Sequence, residues 1–269
     1  MSQVIPIDDP ADPRIAAYRD VREADLVGRQ GRFIAEGEVV LRVLLTGARH
    51  EAESLLVAEK RLERLAPLLA LAAPQVPVYA AGQAVLDAIV GFHIHRGILA
   101  LGRRAAEPSA QTLLAGLPPR ALVLALFGIA NHDNVGGLFR NAAAFGASAV
   151  LLDGACCDPL YRKAIRVSVG GALVVPFARF QPGEDALGLM RAHGLETVAM
   201  TLRGELRLDQ VRRARRAALL LGAEGPGLDQ ALIAEADVRA RIPMSEGFDS
   251  LNVAVAAGVA LHHLAFAAG

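Results

Sequence analysis

The sequence predicts an α/β protein of two domains, in which a small domain precedes a larger one built on a mostly parallel β-sheet. After residue 121, strand-like apolar runs alternate with helical patterns, which is typical of a parallel sheet with helices on both faces. Before that point the strand-like pieces are shorter and accompany two helical patterns. A chain of 269 residues is long enough for two domains.

The domain boundary is predicted within LGRRAAEPSAQTLLAGLPPR, where charges and the Pro-Ser and Pro-Pro pairs interrupt the apolar periodicity. Residues 1–105 then form the first domain, 106–120 a linker and 121–269 the second domain. Within the first domain, helical spacing runs over 15–26 and 36–45, and strand-like pieces occupy 54–58, 76–79 and 98–101.

The second domain contains the stronger patterns. Its predicted strands are ALVLALFG, AVLLD, TVAM, ALLLGAE and VRARIPM, and its predicted helices cover 138–145, 160–168, 186–193 and 253–266. The last helix is apolar nearly all round and rich in small residues, so we expect it to be buried in close packing.

Composition narrows the class of protein. The hydrophobic fraction of 53% favours a packed globular chain, while 28 basic and 28 acidic residues cancel, so any nucleic-acid-binding surface would have to arise from local clustering. The start lacks a signal-peptide pattern and no apolar run has the roughly 20 residues of a membrane helix, which predicts a cytoplasmic protein without a membrane partner. Cys156 and Cys157 are adjacent, a spacing that disfavours a disulfide or a zinc site.

Three loops carry unusual polar residues. Ligands of parallel sheets bind at the carboxyl ends of strands, so the loops that follow the apolar runs are the candidate sites. The first loop contains Asn134 and opens a helix that presents Arg140 about one turn in. The second is a glycine-rich turn that carries Glu224, and the third delivers Ser250 and Asn252 into the final helix.

Each loop also has a simpler interpretation. A glycine-rich turn after a strand is usually only a turn, and Asn134 or Ser250 could be a helix N-cap. The glycines at 222, 225 and 227 have the spacing G-x-x-G-x-G, and the chain contains no G-x-x-x-x-G-K-[ST]. These spacings disfavour dinucleotide binding and nucleotide hydrolysis.

Taken together, the loops resemble the three motifs of the SpoU (TrmH) family of RNA 2′-O-ribose methyltransferases, in the SPOUT superfamily. NVGGLFRNAAAFGASAVLLD is similar to the first motif, LLLGAEGPGL to the second and IPMSEGFDSLNVAVAAGVALH to the third. DPLYRKAIRVSVGGALVVPF resembles the family's connector. Residues 14–101, with GRFIAEGEVVLRVLL and HIHRGILAL, resemble its N-terminal substrate-binding domain more loosely.

The resemblance implies a trefoil-knotted methyltransferase domain that works as a homodimer, an exception to the rule that chains avoid knots. It implies RNA as the partner, S-adenosylmethionine as the co-substrate and no metal. Ribosomal RNA is preferred over transfer RNA, by analogy with family members that have the extra domain. The positions that match the family's active site are Asn134, Arg140, Glu224, Ser250 and Asn252. The positions that match its cofactor contacts are Gly222, Ile242 and Leu251, with Thr201 as a further candidate.

The chemistry requires a weak nucleophile, a ribose hydroxyl, to be oriented and polarised. Ser250 and Asn252 supply short neutral groups, and Arg140 can grip the adjacent phosphate. A guanidinium with a pKa of about 12.5 or more is not a general base near neutrality, so electrostatic positioning is the role expected of Arg140. Glu224 then fixes Arg140 or an entering side chain, or only caps the turn.

Other interpretations stay open. A non-catalytic RNA-binding or ribosome-assembly protein could keep the same fold, and transfer RNA could be the substrate. The missing G-x-G-x-x-G loop disfavours a third possibility, a conventional methyltransferase that acts on protein or small molecules. His93 and His95 would share a strand face, where structural or RNA-contact roles are favoured over metal binding. The arginine-rich run 212–216 is either a solvated face or a phosphate-contacting edge near the active site.

Overall fold

The structure is a computed structural model that describes residues 3–19, 24–90, 97–247 and 250–266. The strands are β1 Val4–Ile7, β2 Arg32–Glu36, β3 Glu51–Ala58, β4 Val78–Ala81, β5 Ile98–Arg103, β6 Ala121–Phe127, β7 Ala149–Leu152, β8 Phe177–Arg179, β9 Glu196–Met200, β10 Leu206–Arg207, β11 Arg216–Gly222 and β12 Val238–Arg241. The α-helices are α1 Glu38–Thr46, α2 Leu62–Leu69, α3 Gln83–Val90, α4 Ala110–Ala115, α5 His132–Ala144, α6 Arg162–Val167, α7 Gly171–Val174, α8 Ala186–Ala192, α9 Gln230–Glu235 and α10 Val253–Phe266.

The chain divides into two compact units. The first unit consists of Met1–Ala106 together with Leu160–Val174, and the second of Glu107–Pro159 with Val175–Gly269. The connector helices α6 and α7 therefore belong to the first unit, where the buried Glu36 carboxylate accepts hydrogen bonds from the Arg162 guanidinium at 3.1 and 3.2 Å. Helix α4, capped by the Ser109 hydroxyl, lies within the segment 106–120.

The first unit is built on a five-stranded sheet in the order β1-β4-β3-β5-β2, in which β5 runs antiparallel to both of its neighbours. The predicted helix over 36–45 and the three predicted strands are confirmed. The predicted helix over 15–26 is wrong in its described part, which forms a 3₁₀ helix, Pro13–Tyr18, and a π-helical segment, Ala24–Arg29. The Tyr18 hydroxyl donates to the carbonyl of Ser54 in β3, beside a β-bulge, and accepts from the backbone N–H of Leu101 in β5. These long-range hydrogen bonds hold the segment in place of the regular backbone bonds of an α-helix.

The second unit is built on a seven-stranded sheet in the order β10-β12-β9-β11-β6-β7-β8, with every pair parallel, as the alternating pattern predicted. Val123 and Ala125 of β6 face a core cluster that includes Leu114 of α4 and Met190 of α8. The intervening Leu124 is equally buried and faces the other side, where α5 and α10 pack on the sheet and on each other.

Parallel pairing places every strand's carboxyl end at one edge of this sheet, which we call the carboxyl edge. The chain leaves β6 for α5 there, and the loops after β9, β11 and β12 begin there. All three polar loops singled out in the sequence therefore start from a common edge. Within the described residues, no helix is both long enough and apolar enough to cross a membrane.

Candidate functional site

Helix α5 begins at the carboxyl edge directly after a tight turn. Gly128 follows β6 with a φ of 71°, a conformation that favours glycine, and Asn131 then caps the helix. The Asn131 Oδ1 accepts hydrogen bonds from the backbone N–H groups of Asp133 at 2.8 Å and Asn134 at 3.3 Å. Since Asn131 is the cap, the side chain of Asn134 is available for another role, and it is buried.

Asn252 joins all three motif loops. Its Nδ2 donates to Asn134 Oδ1 at 2.9 Å and to Glu224 Oε1 at 2.9 Å. Its Oδ1 accepts from the backbone N–H groups of Ala254 at 2.9 Å and Val255 at 3.4 Å, so Asn252, and not Ser250, caps α10. Both amide hydrogens and the amide oxygen of Asn252 are thus already used inside the protein. We call Asn134, Glu224 and Asn252 the amide–carboxylate cluster.

Glu224 lies in the loop after β11, and this loop folds back over the end of that strand. The backbone N–H of Gly227 donates to the carbonyl of Ala223 at 2.9 Å, and a Cβ added to Gly222 would lie 2.1 Å from the carbonyl carbon of Gly227. Only glycine therefore fits at position 222 while the loop is closed. The partner of the exposed Glu224 carboxylate is Asn252, and no ion pair joins Glu224 to Arg140 within the described residues.

Arg140 lies farther along α5 than the sequence suggested. It is the ninth residue of the helix, more than two turns from its start, where about one turn was expected. It follows Asn134 by six residues, about 9 Å of helix rise and about 240° of rotation, so the two side chains leave different faces. Arg140 is exposed, and among the described residues it has no hydrogen-bond or ion-pair partner. The guanidinium is accessible to an anionic ligand.

The register between α5 and α10 depends on close helix packing. A Cβ added to Gly137 would lie 2.7 Å from Cβ of Ala254, and one added to Gly258 would lie 3.2 Å from Nδ2 of Asn141. The same Nδ2 donates to the carbonyl of Ala254 at 2.6 Å. This contact fixes where Asn134 meets Asn252. Sequence reasoning overlooked Asn141, and the glycines in both helices were the signal for it.

The predicted cofactor contacts follow three neighbouring strands. Thr201 comes after β9, Gly222 ends β11 and Ile242 comes after β12, and these strands are adjacent in the sheet. The backbone N–H of Thr201 donates to the carbonyl of Ala240 at 2.9 Å, which ties the first of these loops to β12. Leu251 is exposed, as is Ser250, whose hydroxyl has no partner within the described part of the chain. The edge thus offers backbone groups and apolar side chains.

Two arginines of the run 212–216 use their guanidinium groups inside the protein. Arg216 begins β11, at the sheet edge opposite the carboxyl edge, and its guanidinium donates to the carbonyls of Leu117 at 2.7 Å, Pro118 at 3.1 Å and His193 at 2.9 Å. Arg213 donates to the carbonyl of Ala265 at 3.0 Å. Both side chains are held by backbone carbonyls.

His93 and His95 lie outside the described residues. Across the described ranges, no group of three or more His, Cys, Asp or Glu side chains is arranged to hold a metal ion.

Comparison with known proteins identifies the family. The model of the SpoU rRNA Methylase family matches residues 121–262, the stretch that contains β6, the amide–carboxylate cluster and most of α10. The chain belongs to this family. A Mycobacterium tuberculosis protein described as an uncharacterized tRNA/rRNA methyltransferase is 42% identical over 262 residues, covering 94% of this chain and 89% of its own length.

Solved structures agree with this assignment. An AdoMet-bound rRNA methyltransferase from Sinorhizobium meliloti is 25% identical and covers 97% of each chain with a TM-score of 0.79. A structure described as an RNA 2′-O ribose methyltransferase is 28% identical and covers 97% of this chain and 98% of its own, with a TM-score of 0.77. The protein is an RNA methyltransferase of the SpoU family, and its fold implies the family's trefoil knot.

Proposed function

We propose that this SpoU methyltransferase transfers a methyl group from S-adenosylmethionine to the 2′-hydroxyl of a ribose in RNA, with ribosomal RNA as the preferred substrate. The observation that carries the proposal is the amide–carboxylate cluster, in which one amide joins the three motif loops at the carboxyl edge. A similar structure is described as an RNA 2′-O ribose methyltransferase, which supports the ribose as the acceptor.

The predicted cofactor positions fit an adenosyl group. Backbone groups of the Gly222 loop can bond to it without side-chain specificity, while Ile242 and Leu251 offer apolar surface to a ring system. Thr201 lies at the same carboxyl edge, directly after β9. The similar Sinorhizobium meliloti protein is described as AdoMet-bound, which supports this co-substrate. When bound, S-adenosylmethionine supplies a methyl group on a positively charged sulfur.

The acceptor side is assigned to the groups that the protein leaves unpaired. Asn252 has no hydrogen-bonding capacity left for the RNA, so it holds Glu224 and Asn134 in place. Glu224 uses Oε1 for that contact, and its other oxygen can accept a hydrogen bond from a ribose hydroxyl. Ser250 can donate to or accept from the same nucleotide. Arg140 meets the adjoining phosphate, where a permanently charged fork orients the ribose without acting as a base.

Transfer of labelled methyl to RNA tests the reaction, and resistance of the modified linkage to alkali identifies the ribose as the acceptor. The competing function is a non-catalytic RNA-binding or assembly protein of the same fold. A titration with S-adenosylmethionine separates the two, because we expect saturable binding for the enzyme. Absence of both binding and transfer would overturn the proposal.

The RNA class needs a separate experiment. Mapping 2′-O-methyl sites in total RNA from cells with and without the gene should show one or more sites lost from ribosomal RNA. Loss from transfer RNA alone would contradict the preferred substrate and leave the reaction intact.

A homodimer is part of the proposal. Helix α10 buries one side, but on its other side Val255, Val259 and Phe266 are 53%, 44% and 67% exposed. Covering these apolar side chains with a second copy of the chain would remove them from water and so favour a dimer. We expect the protein to sediment at twice its chain mass of 28.3 kDa. Val259→Glu should shift it toward the monomer, whereas Val39→Glu, at a valine of α1 that is 59% exposed, should not. A monomeric parent protein would refute the dimer.

A further inference from the structure

A bracket of hydrogen bonds holds the turn that leads into α5, on the side of the site away from the predicted cofactor loops. Strands β6, β7 and β8 are neighbours at one end of the sheet order, while β9, β11 and β12 carry the cofactor loops. The bracket is built from residues that follow β7 and end β8. None of them belongs to the amide–carboxylate cluster.

Asp153, directly after β7, provides the first tier of the bracket. Its Oδ2 accepts from the backbone N–H of Gly128 at 2.8 Å, and its Oδ1 accepts from those of Ala155 at 3.0 Å and Cys156 at 2.9 Å. One carboxylate therefore accepts hydrogen bonds both from its own turn and from the turn after β6. Gly128 is the residue with φ of 71° from which the chain turns toward α5.

Cys156 and Cys157 add hydrogen bonds to Ile129, the residue after Gly128. The Cys156 thiol accepts from the backbone N–H of Ile129 at 3.3 Å and donates to the carbonyl of Leu126 at 3.3 Å, while the backbone N–H of Cys157 donates to the carbonyl of Ile129 at 3.0 Å. Burial raises the pKa of the Cys156 thiol to about 12, so the group stays protonated and keeps its donor.

Arg179, the last residue of β8, closes the second tier. Its Nη1 donates to the carbonyls of Asp153 at 2.9 Å and Cys156 at 3.1 Å, and its Nη2 donates to the carbonyl of Cys157 at 3.4 Å. The three acceptors lie on one turn, and a planar guanidinium satisfies them together. Without it the turn would lose the group that joins its two ends.

We propose that Arg179 is a positioning residue for methyl transfer, which holds the 153–157 turn so that the turn after β6 sets Asn134 against Asn252. The inference rests on the proposed function, because its readout is the methyl-transfer rate. None of the hydrogen bonds of Arg179 given above reaches the amide–carboxylate cluster, so its effect is transmitted through the turn to the backbone of Leu126, Gly128 and Ile129. Small displacements of reacting groups are costly to rate even when the mutated residue is remote.

The chain offers a matched control in Arg216. Its guanidinium also donates to three backbone carbonyls, but at the opposite edge of the same sheet. A merely structural role would lower the unfolding temperature of both variants and leave the turnover of both folded proteins alike. A positioning role separates them.

The experiment compares Arg179→Ala with Arg216→Ala at saturating RNA and S-adenosylmethionine, well below either unfolding midpoint. We expect Arg179→Ala to lower kcat by about 10- to 100-fold with S-adenosylmethionine affinity close to parental, and Arg216→Ala to keep kcat near parental. Arg179→Lys should recover only part of the loss, since an ammonium lacks the planar fork. Amide exchange at Gly128 and Ile129 should accelerate in Arg179→Ala and not in Arg216→Ala.

Equal kcat for the two alanine variants, or full recovery by lysine, would overturn the inference. If Arg179→Ala fails to fold, Asp153→Asn probes the same turn, because the amide replaces one of two acceptor oxygens by a donor and must release Gly128 or the Ala155 side. Parental kcat in that variant would also overturn the inference. An inactive parent protein would instead count against the proposed function itself.

Discussion

Asn252→Asp is the sharpest test of the amide–carboxylate cluster, because it separates the two tasks of Asn252. The substitution keeps the size of the side chain and the oxygen that accepts from Ala254, so α10 keeps its cap. It replaces Nδ2, which donates to Asn134 and Glu224, by an oxygen that faces two other oxygens.

The contacts set the size of the effect. Two hydrogen bonds are lost, each with a net contribution of about 0.5–1.5 kcal/mol, and water around the exposed Glu224 screens the new repulsion to about 1 kcal/mol or less. The arranged cluster becomes less favourable by roughly 1–4 kcal/mol, so kcat should fall by about 5- to 1,000-fold. The free energy of unfolding should fall by less than that amount, since an aspartate at a helix N-terminus stabilises the helix by about 0.3–1 kcal/mol.

The assay is transfer of labelled methyl to RNA, with urea unfolding of the same samples. Asn252→Ser is the matched control, because serine can cap α10 but brings neither the donors nor a negative charge. We expect both variants to lose activity, and the aspartate to lose more. Near-parental turnover in Asn252→Asp would refute the idea that the two amide donors organise the site.

Three further substitutions test separate parts of the molecule. Arg140→Ala should lower methyl transfer by about 100- to 1,000-fold with S-adenosylmethionine affinity retained, and near-parental transfer would contradict its role. Burial and nearby arginines lower the pKa of His50 from 6.5 to about 4, so the unfolded chain binds the extra proton and stability should fall by about 3 kcal/mol between pH 6.5 and 4. Urea unfolding of His50→Asn at pH 6.5 and pH 4 should not show this loss of about 3 kcal/mol, and an equal loss in the variant would contradict the assignment to His50. Tyr18→Phe should cost about 1–3 kcal/mol of unfolding free energy in the same assay, because the buried N–H of Leu101 loses its partner, and an unchanged midpoint would contradict that hydrogen bond.

The fold was predictable where buried strands are long and uninterrupted. The run that forms β6 is apolar almost throughout and buried, since helices cover both faces of the sheet. A short apolar run of this kind predicts a strand that is buried on both faces. The three-residue β8 and the four-residue β1 gave no comparable signal. Apolar residues at 15, 18 and 26 suggested a helix, yet the same residues serve as anchors of 3₁₀ and π turns.

The residues of the candidate site were predictable from the motifs, but their hydrogen-bond partners were not. Motif positions place Asn134, Glu224 and Asn252 in three separate loops, and nothing in the sequence says that one amide spans all three. That contact depends on how α5 meets α10, which Gly137 and Gly258 decide by the absence of a side chain. Arg179 was overlooked for the same reason, since its acceptors are backbone carbonyls without a sequence signature.

The two arginines of 212–216 whose contacts are described above show why a charge run is weak evidence for an RNA surface. Arg216 is the first residue of β11, so strand pairing fixes its backbone and turns its side chain toward carbonyls nearly one hundred positions away along the chain. Arg213 is fixed by the end of α10. A guanidinium that already satisfies backbone carbonyls must give up those bonds to meet a phosphate, whereas Arg140 has none to give up in the described structure. The hydrogen bonds that each guanidinium already makes must therefore be counted before a run of arginines is taken as an RNA-binding surface.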